Sequence, residues 1–77
     1  MRDLSCRIDF TWDDEAAVWV ATSADVPGLV LESGSYDALI ERVRHAVPEL
    51  LTLNNKEYDT VDLTFFSERH DRVAAYG

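Results

Sequence analysis

Ser5-Cys6-Arg7-Ile8-Asp9-Phe10-Thr11-Trp12, residues 5–12, is the stretch whose reading decides the fold. Cys6, Ile8, Phe10 and Trp12 fall on one side of an extended chain, and Ser5, Arg7, Asp9 and Thr11 on the other. A period of two is the mark of a strand with one face buried. Asp13, Asp14 and Glu15 interrupt it and suit a solvated hairpin turn. A second strand is expected from Ala16 to Thr22. Val18 and Val20 lie on one of its faces, and Ala17, Trp19 and Ala21 on the other. Apolar residues on both faces place it centrally in a sheet.

Asp25-Val26-Pro27-Gly28 reads as a type II turn, because proline presets φ and the following glycine accepts a positive one. Leu29 to Glu32 is the third strand. Ser35 is an N-cap candidate, with Asp37 in the first helical turn where the dipole favours a negative charge. Leu39, Val43, Ala46, Val47 and Leu50 recur at helical spacing. Pro48 removes a backbone donor, so a kink or restart is expected near Val47, with the helix ending at Asn54 and Asn55. Thr60 to Phe66 reads as a last strand, Val61, Leu63 and Phe65 inward and Asp62 and Thr64 outward. The order βββαβ predicts an α+β domain. Three antiparallel strands carry a helix on one face, and the fourth strand returns beside the first through a right-handed crossover. Phe10, Leu39, Val43, Leu50 and Leu63 are the expected core.

The chain has 77 residues, 47% of them hydrophobic and 29% charged, which is a single ordered domain and no more. Residues 67–77 form a tail in which Val73, Ala74, Ala75 and Tyr76 are candidates to dock on the domain or on another subunit. Fifteen acidic residues against seven basic ones give a formal charge of −8. Phosphate backbones select the opposite sign, so direct nucleic-acid binding is not expected, whereas a basic protein partner is. The single cysteine, Cys6, allows no disulfide within the chain and suits a reducing cytosol. No apolar run approaches a membrane span and no secretory leader is visible, so a cytoplasmic location is expected.

Further along, Trp19-Val20-Ala21-Thr22-Ser23 leads into Asp25-Val26-Pro27-Gly28. Then come Ser35-Tyr36-Asp37-Ala38-Leu39-Ile40-Glu41-Arg42-Val43 and Val47-Pro48-Glu49-Leu50-Leu51. In this order and spacing, over about Ile8 to Leu53, they resemble a short domain-of-unknown-function family of the HicB-like antitoxin superfamily. The resemblance implies a partial ribonuclease-H-like fold with strand order 3-2-1-4. It also implies a role in binding and silencing a small basic ribonuclease toxin of the HicA type. Longer HicB proteins usually add a C-terminal helix-turn-helix or ribbon-helix-helix that binds the operator. The tail after Phe66 is too short for a helix-turn-helix, so autoregulation by this chain alone is not expected. The stretch between the Pro-Gly turn and the helical alanine is also shorter than theirs.

Asp9 and Asp62 fall on strands expected to be parallel neighbours, where ribonuclease-H enzymes hold divalent metals, with Glu41 as a conceivable third ligand. Fold analogy is a weak warrant, and both aspartates fit outward-facing positions of an alternating strand. Asp13, Asp14 and Glu15 lack the alternating ligands and glycine of a calcium loop. His45 and His70 have no metal-type spacing. No catalytic residue, cofactor or metal ligand is therefore assigned. Trp19 is a candidate contact residue if the helix covers the Val18 and Val20 face, and a core residue if it covers the other. Open sheet edges and a thin core favour a dimer or higher even assembly. Trp19, Leu29 and Leu31 would lie near its contact, and the acidic turn Asp13, Asp14 and Glu15 would face a basic partner.

Overall fold

Residues 2–75 are described by a computed structural model. The elements are β1 (Asp3–Asp13), β2 (Val18–Thr22), β3 (Val30–Ser33), α1 (Tyr36–Leu53) and β4 (Thr60–Glu68). They make a four-stranded sheet in the order β3-β2-β1-β4, with α1 on one face. β1 pairs antiparallel with β2 and parallel with β4, and β2 pairs antiparallel with β3. The expected βββαβ arrangement is the one found.

The alternation of β1 sets the core. Cys6, Ile8 and Phe10 are buried, and across the ladder they meet Leu63, Phe65 and, on β2, Ala21. From α1 the buried stripe is Leu39, Val43, Val47 and Leu51, one residue per turn. Phe10, Leu39 and Val43 belong to the buried cluster as expected. Leu50 and Leu63 are half-buried against it, and Val26, Val47 and Leu51 lie deeper. Tyr36, the first residue of α1, stands between Trp19 at 5.1 Å and Phe10 at 4.8 Å, ring centre to ring centre. Trp12 and Phe65 extend this aromatic row across the covered face.

The Pro-Gly turn sits one residue later than the sequence suggests. The Leu29 N–H donates to the Val26 carbonyl, so Val26–Leu29 is the turn, with Gly28 at φ 88° in its third position. The N-cap is as expected: the Ser35 hydroxyl accepts from the Ala38 N–H at 3.2 Å. At the other end Asn55 adopts φ 57°, and the N–H groups of Asn55 and Lys56 donate to the carbonyls of Thr52 and Leu51. That is a Schellman closure with asparagine in the left-handed position. The Asn54 amide also donates to the carbonyls of Leu50 and Pro27, tying the helix end to the turn.

Pro48 does not make the helix stop and restart. Helix α1 runs as one element from Tyr36 to Leu53. Val47 and Leu51, before and after the proline, are both buried on the same stripe. Their burial holds the register across the missing bond.

Candidate interaction surface

The ladders sort every strand residue onto one of two faces. Trp19 pairs with Trp12 and Ser33, and Ala21 with Phe10 and Leu31, so all of these lie on the side of α1. Val18 and Val20 pair with Asp13 and Thr11 and lie on the open side. This corrects the reading of Trp19 as an uncovered contact residue: it is half-buried beneath Tyr36. Leu29 is buried and Leu31 is half-buried against the core, so neither is presented to a partner. β2 has apolar residues on both faces and could not mark its solvent side; its register against β1 does.

The open face is built from Asp3, Ser5, Arg7, Asp9, Thr11 and Asp13 of β1, with Thr60, Asp62, Thr64, Phe66 and Glu68 of β4 beside them. Val18, Val20 and Thr22 of β2, then Val30 and Glu32 of β3, complete it. Arg7 is the one basic residue in this array. Its guanidinium lies 3.8 Å from the centre of the Phe66 ring, and its Nε donates to Asp9 Oδ1 at 2.8 Å. The stack holds Phe66 in place although 44% of it is exposed. Two shallow grooves flank the ring. One, about 250 Å³, is bordered by Asp9, Thr11 and Glu68; the other, about 310 Å³, by Ser5, Asp25 and Thr64.

Asp25 reaches this surface for a structural reason. The β1–β2 ladder ends at Asp9 opposite Thr22, which leaves the backbone of Arg7 without a strand partner on that side. The Asp25 carboxylate accepts the Arg7 N–H at 2.8 Å, and the Ser23 hydroxyl donates to the Arg7 carbonyl at 2.6 Å. Two side chains thus replace the missing strand. Asp25 also adds to the effect of burial on Cys6: burial first, and that negative charge second, raise the thiol pKa above its ordinary value. Cys6 is thus a buried core thiol whose thiolate form is disfavoured.

The acidic turn stays at the surface but is internally bonded. The Asp13 carboxylate accepts the N–H groups of Glu15 and Ala16, and the Trp12 indole donates to Asp14. Asp9 and Asp62 are not brought together. Asp62 sits opposite Ser5, four positions along β1 from Asp9, or about 13 Å at strand rise. Glu41 is on α1, beyond the other face, bonded to Arg44. Among the described residues no group of three His, Cys, Asp or Glu side chains could hold a metal ion. His45 and His70 are both exposed.

The tail leaves the sheet after Glu68. The Arg69 guanidinium stacks 3.9 Å from the Trp12 ring centre, and beyond it Val73, Ala74 and Ala75 are exposed. They do not dock on the domain; Tyr76 falls outside the described residues. The chain measures 57 × 19 × 18 Å. Its radius of gyration of 15.0 Å exceeds the roughly 11 Å of a compact chain this long. No helix among the described residues is long and apolar enough to cross a membrane.

The Arg7–Phe66 stack is the feature that sequence reasoning missed. Its signal is Phe65-Phe66: two successive aromatics on a strand must point to opposite faces, so one of them has to lie outside the core.

Residues 5–77 match a family described as Domain of unknown function (DUF1902). The crystal structure of a hypothetical protein from the extremely thermophilic bacterium Thermus thermophilus is similar at a TM-score of 0.78 and 36% identity. The similarity covers 90% of this chain and 99% of that one. No curated protein matches.

Proposed function

The chain belongs to the family described as Domain of unknown function (DUF1902), and from that footing we propose that it is a non-catalytic binding module, a HicB-like antitoxin that holds and silences a small basic HicA-type ribonuclease in the cytosol. One observation carries the proposal. The sheet face that α1 leaves open bears Asp3, Asp9, Asp13, Glu32, Asp62 and Glu68 against Arg7 alone. Such a face steers a basic partner toward it and repels nucleic acid. The separation of Asp9 from Asp62 takes support from the alternative of a metal-dependent nuclease.

The test starts from the neighbouring reading frames: a short basic protein found there is co-expressed with this chain. Rescue of growth, together with a complex that co-elutes after purification, is the expected result. Toxicity that persists beside a folded, soluble chain would overturn the proposal. The isolated chain should not shift operator DNA in a gel.

A second reading, self-association without a toxin, draws on different residues. Val73 is 85% exposed and Leu53 76% exposed, on a tail and a helix end that nothing else covers among the described residues. A dimer or higher even assembly in sedimentation equilibrium at micromolar concentration supports it; a monomer removes it.

A further inference from the structure

The two edges of the sheet are unequal. β3 is short, and the backbone of α1 lies close to it. The Arg42 guanidinium donates to the Glu32 carbonyl at 2.7 Å, occupying an acceptor of that strand. β4, at the other edge, is nine residues long, and its backbone lies close to that of β1 alone among the described elements. It carries no proline, lysine or arginine, the usual guards of an exposed edge. Val61, Leu63 and Phe65 point to the covered side yet remain only half-buried, because among the described residues no strand flanks them beyond β4. On its other side Asp62 and Glu68 bracket Phe66 across about 20 Å of strand.

We propose that the outer edge of β4 receives an extended basic segment of a partner protein, which adds to the sheet as a fifth strand. The inference rests on the reading of the chain as a binder of basic proteins and specifies how it binds. Backbone hydrogen bonds along the β4 edge supply affinity, and side chains at alternate positions supply selection. Arginine or lysine opposite Asp62 and Glu68, with an apolar residue opposite Phe66, matches the open side. Apolar residues on the intervening positions complete the burial of Leu63 and Phe65. The formal charge of −8 opposes pairing of this edge with a second copy and favours a cationic strand.

The probe is a synthetic nonapeptide with valine at alternate, inward positions, arginine where it meets Asp62 and Glu68 and leucine where it meets Phe66, titrated into the full chain, with amide hydrogen exchange read residue by residue. Slowed exchange along Thr60–Glu68, with none along Val30–Ser33, is expected. The same peptide N-methylated at alternate residues keeps its charge but loses backbone bonds, and should bind roughly tenfold more weakly or worse. Phe66→Lys should weaken binding by roughly tenfold, while Val30→Lys, which adds the same charge on the other edge strand, should not. Both positions are exposed, and an unchanged melting temperature confirms that each variant folds.

Equal binding of the N-methylated peptide would mean attraction by charge alone and would overturn the proposal. So would protection along β3, or protection of β4 that grows with protein concentration in the absence of peptide, the sign that a second copy takes the edge. The co-expression test separates this proposal from the broader one. If the Phe66→Lys chain still silences a co-expressed basic toxin, the antitoxin reading stands and the β4 site falls. If the peptide adds at β4 while no toxin is silenced, the site stands and the antitoxin reading falls.

Discussion

On β1, neighbouring residues live in different media. Ile8 and Phe10 are buried under α1 with 0% and 2% of their surface exposed, whereas Arg7, Asp9 and Thr11 look away from the helix onto the open face. The covered face is an aliphatic and aromatic cluster, with no buried polar or charged residue among those described. The open face holds carboxylates, hydroxyls, three valines and one stacked arginine–phenylalanine pair. Burial is thus concentrated on one side of a single sheet, and the charge is carried on the other. Substitutions on one side should be read by melting, and on the other by binding.

The largest test of that division is in the core. Phe10→Ala should lower stability by about 3–5 kcal/mol and Leu39→Ala by about 2–5 kcal/mol in urea unfolding, because both leave cavities at sites with almost no exposed surface. A change within experimental error at Leu39 would mean that α1 does not cover this face.

Trp19 and Val20 give a sharper comparison, since they are adjacent on β2 and point opposite ways. Trp19→Ala should cost about 3 kcal/mol, the low end for a large aromatic because Trp19 is half-buried. Val20→Thr should cost under about 1 kcal/mol, as a shape-conserving change on a half-buried open-face site. If the two costs were reversed, the face assignment would be inverted.

Ser35→Ala tests the helix start independently of either face. Loss of the bond from the Ala38 N–H should lower stability by about 1 kcal/mol in the same unfolding assay.

The smallest effect is expected from Cys6, read against pH. Its thiol is neutral in the folded state and its folded pKa lies above the ordinary value of 9.0, with burial as the first cause. Below pH 9 both states keep the proton and stability should not respond to this group. Above that value the unfolded chain loses the proton first, so stability falls as pH rises through the folded pKa. Cys6→Ala should flatten that alkaline decline, and an unchanged slope would show that the decline comes from other groups.

Much of this is legible in the chain itself. The alternation of residues 5–12, the Pro-Gly turn, the Ser35 cap, the Asn54-Asn55 ending and the alternation of β4 are local patterns. Each depends on backbone geometry or on a period of two or 3.6, which a linear sequence records. The resemblance to the HicB-like superfamily implies the strand order 3-2-1-4, and the sheet has it. Pro48 does not break the helix in two, because the burial of Val47 and Leu51 around it offsets the lost hydrogen bond that propensity counts.

By itself, then, the sequence determined which segments are strands and helix, which face of β1 and β4 is buried, and the acidic balance of the chain. Tertiary structure decided which face of β2 the helix covers, that Trp19, Leu29 and Leu31 belong inward, that Asp9 and Asp62 stand apart, and that Arg7 stacks on Phe66. The physical reason is register. A strand's own alternation fixes which residues share a side, but when both sides are apolar only its pairing with a neighbour says which side faces the helix. The same holds across the sheet, where one shift along β1 or β4 changes which carboxylates, arginines and aromatics meet.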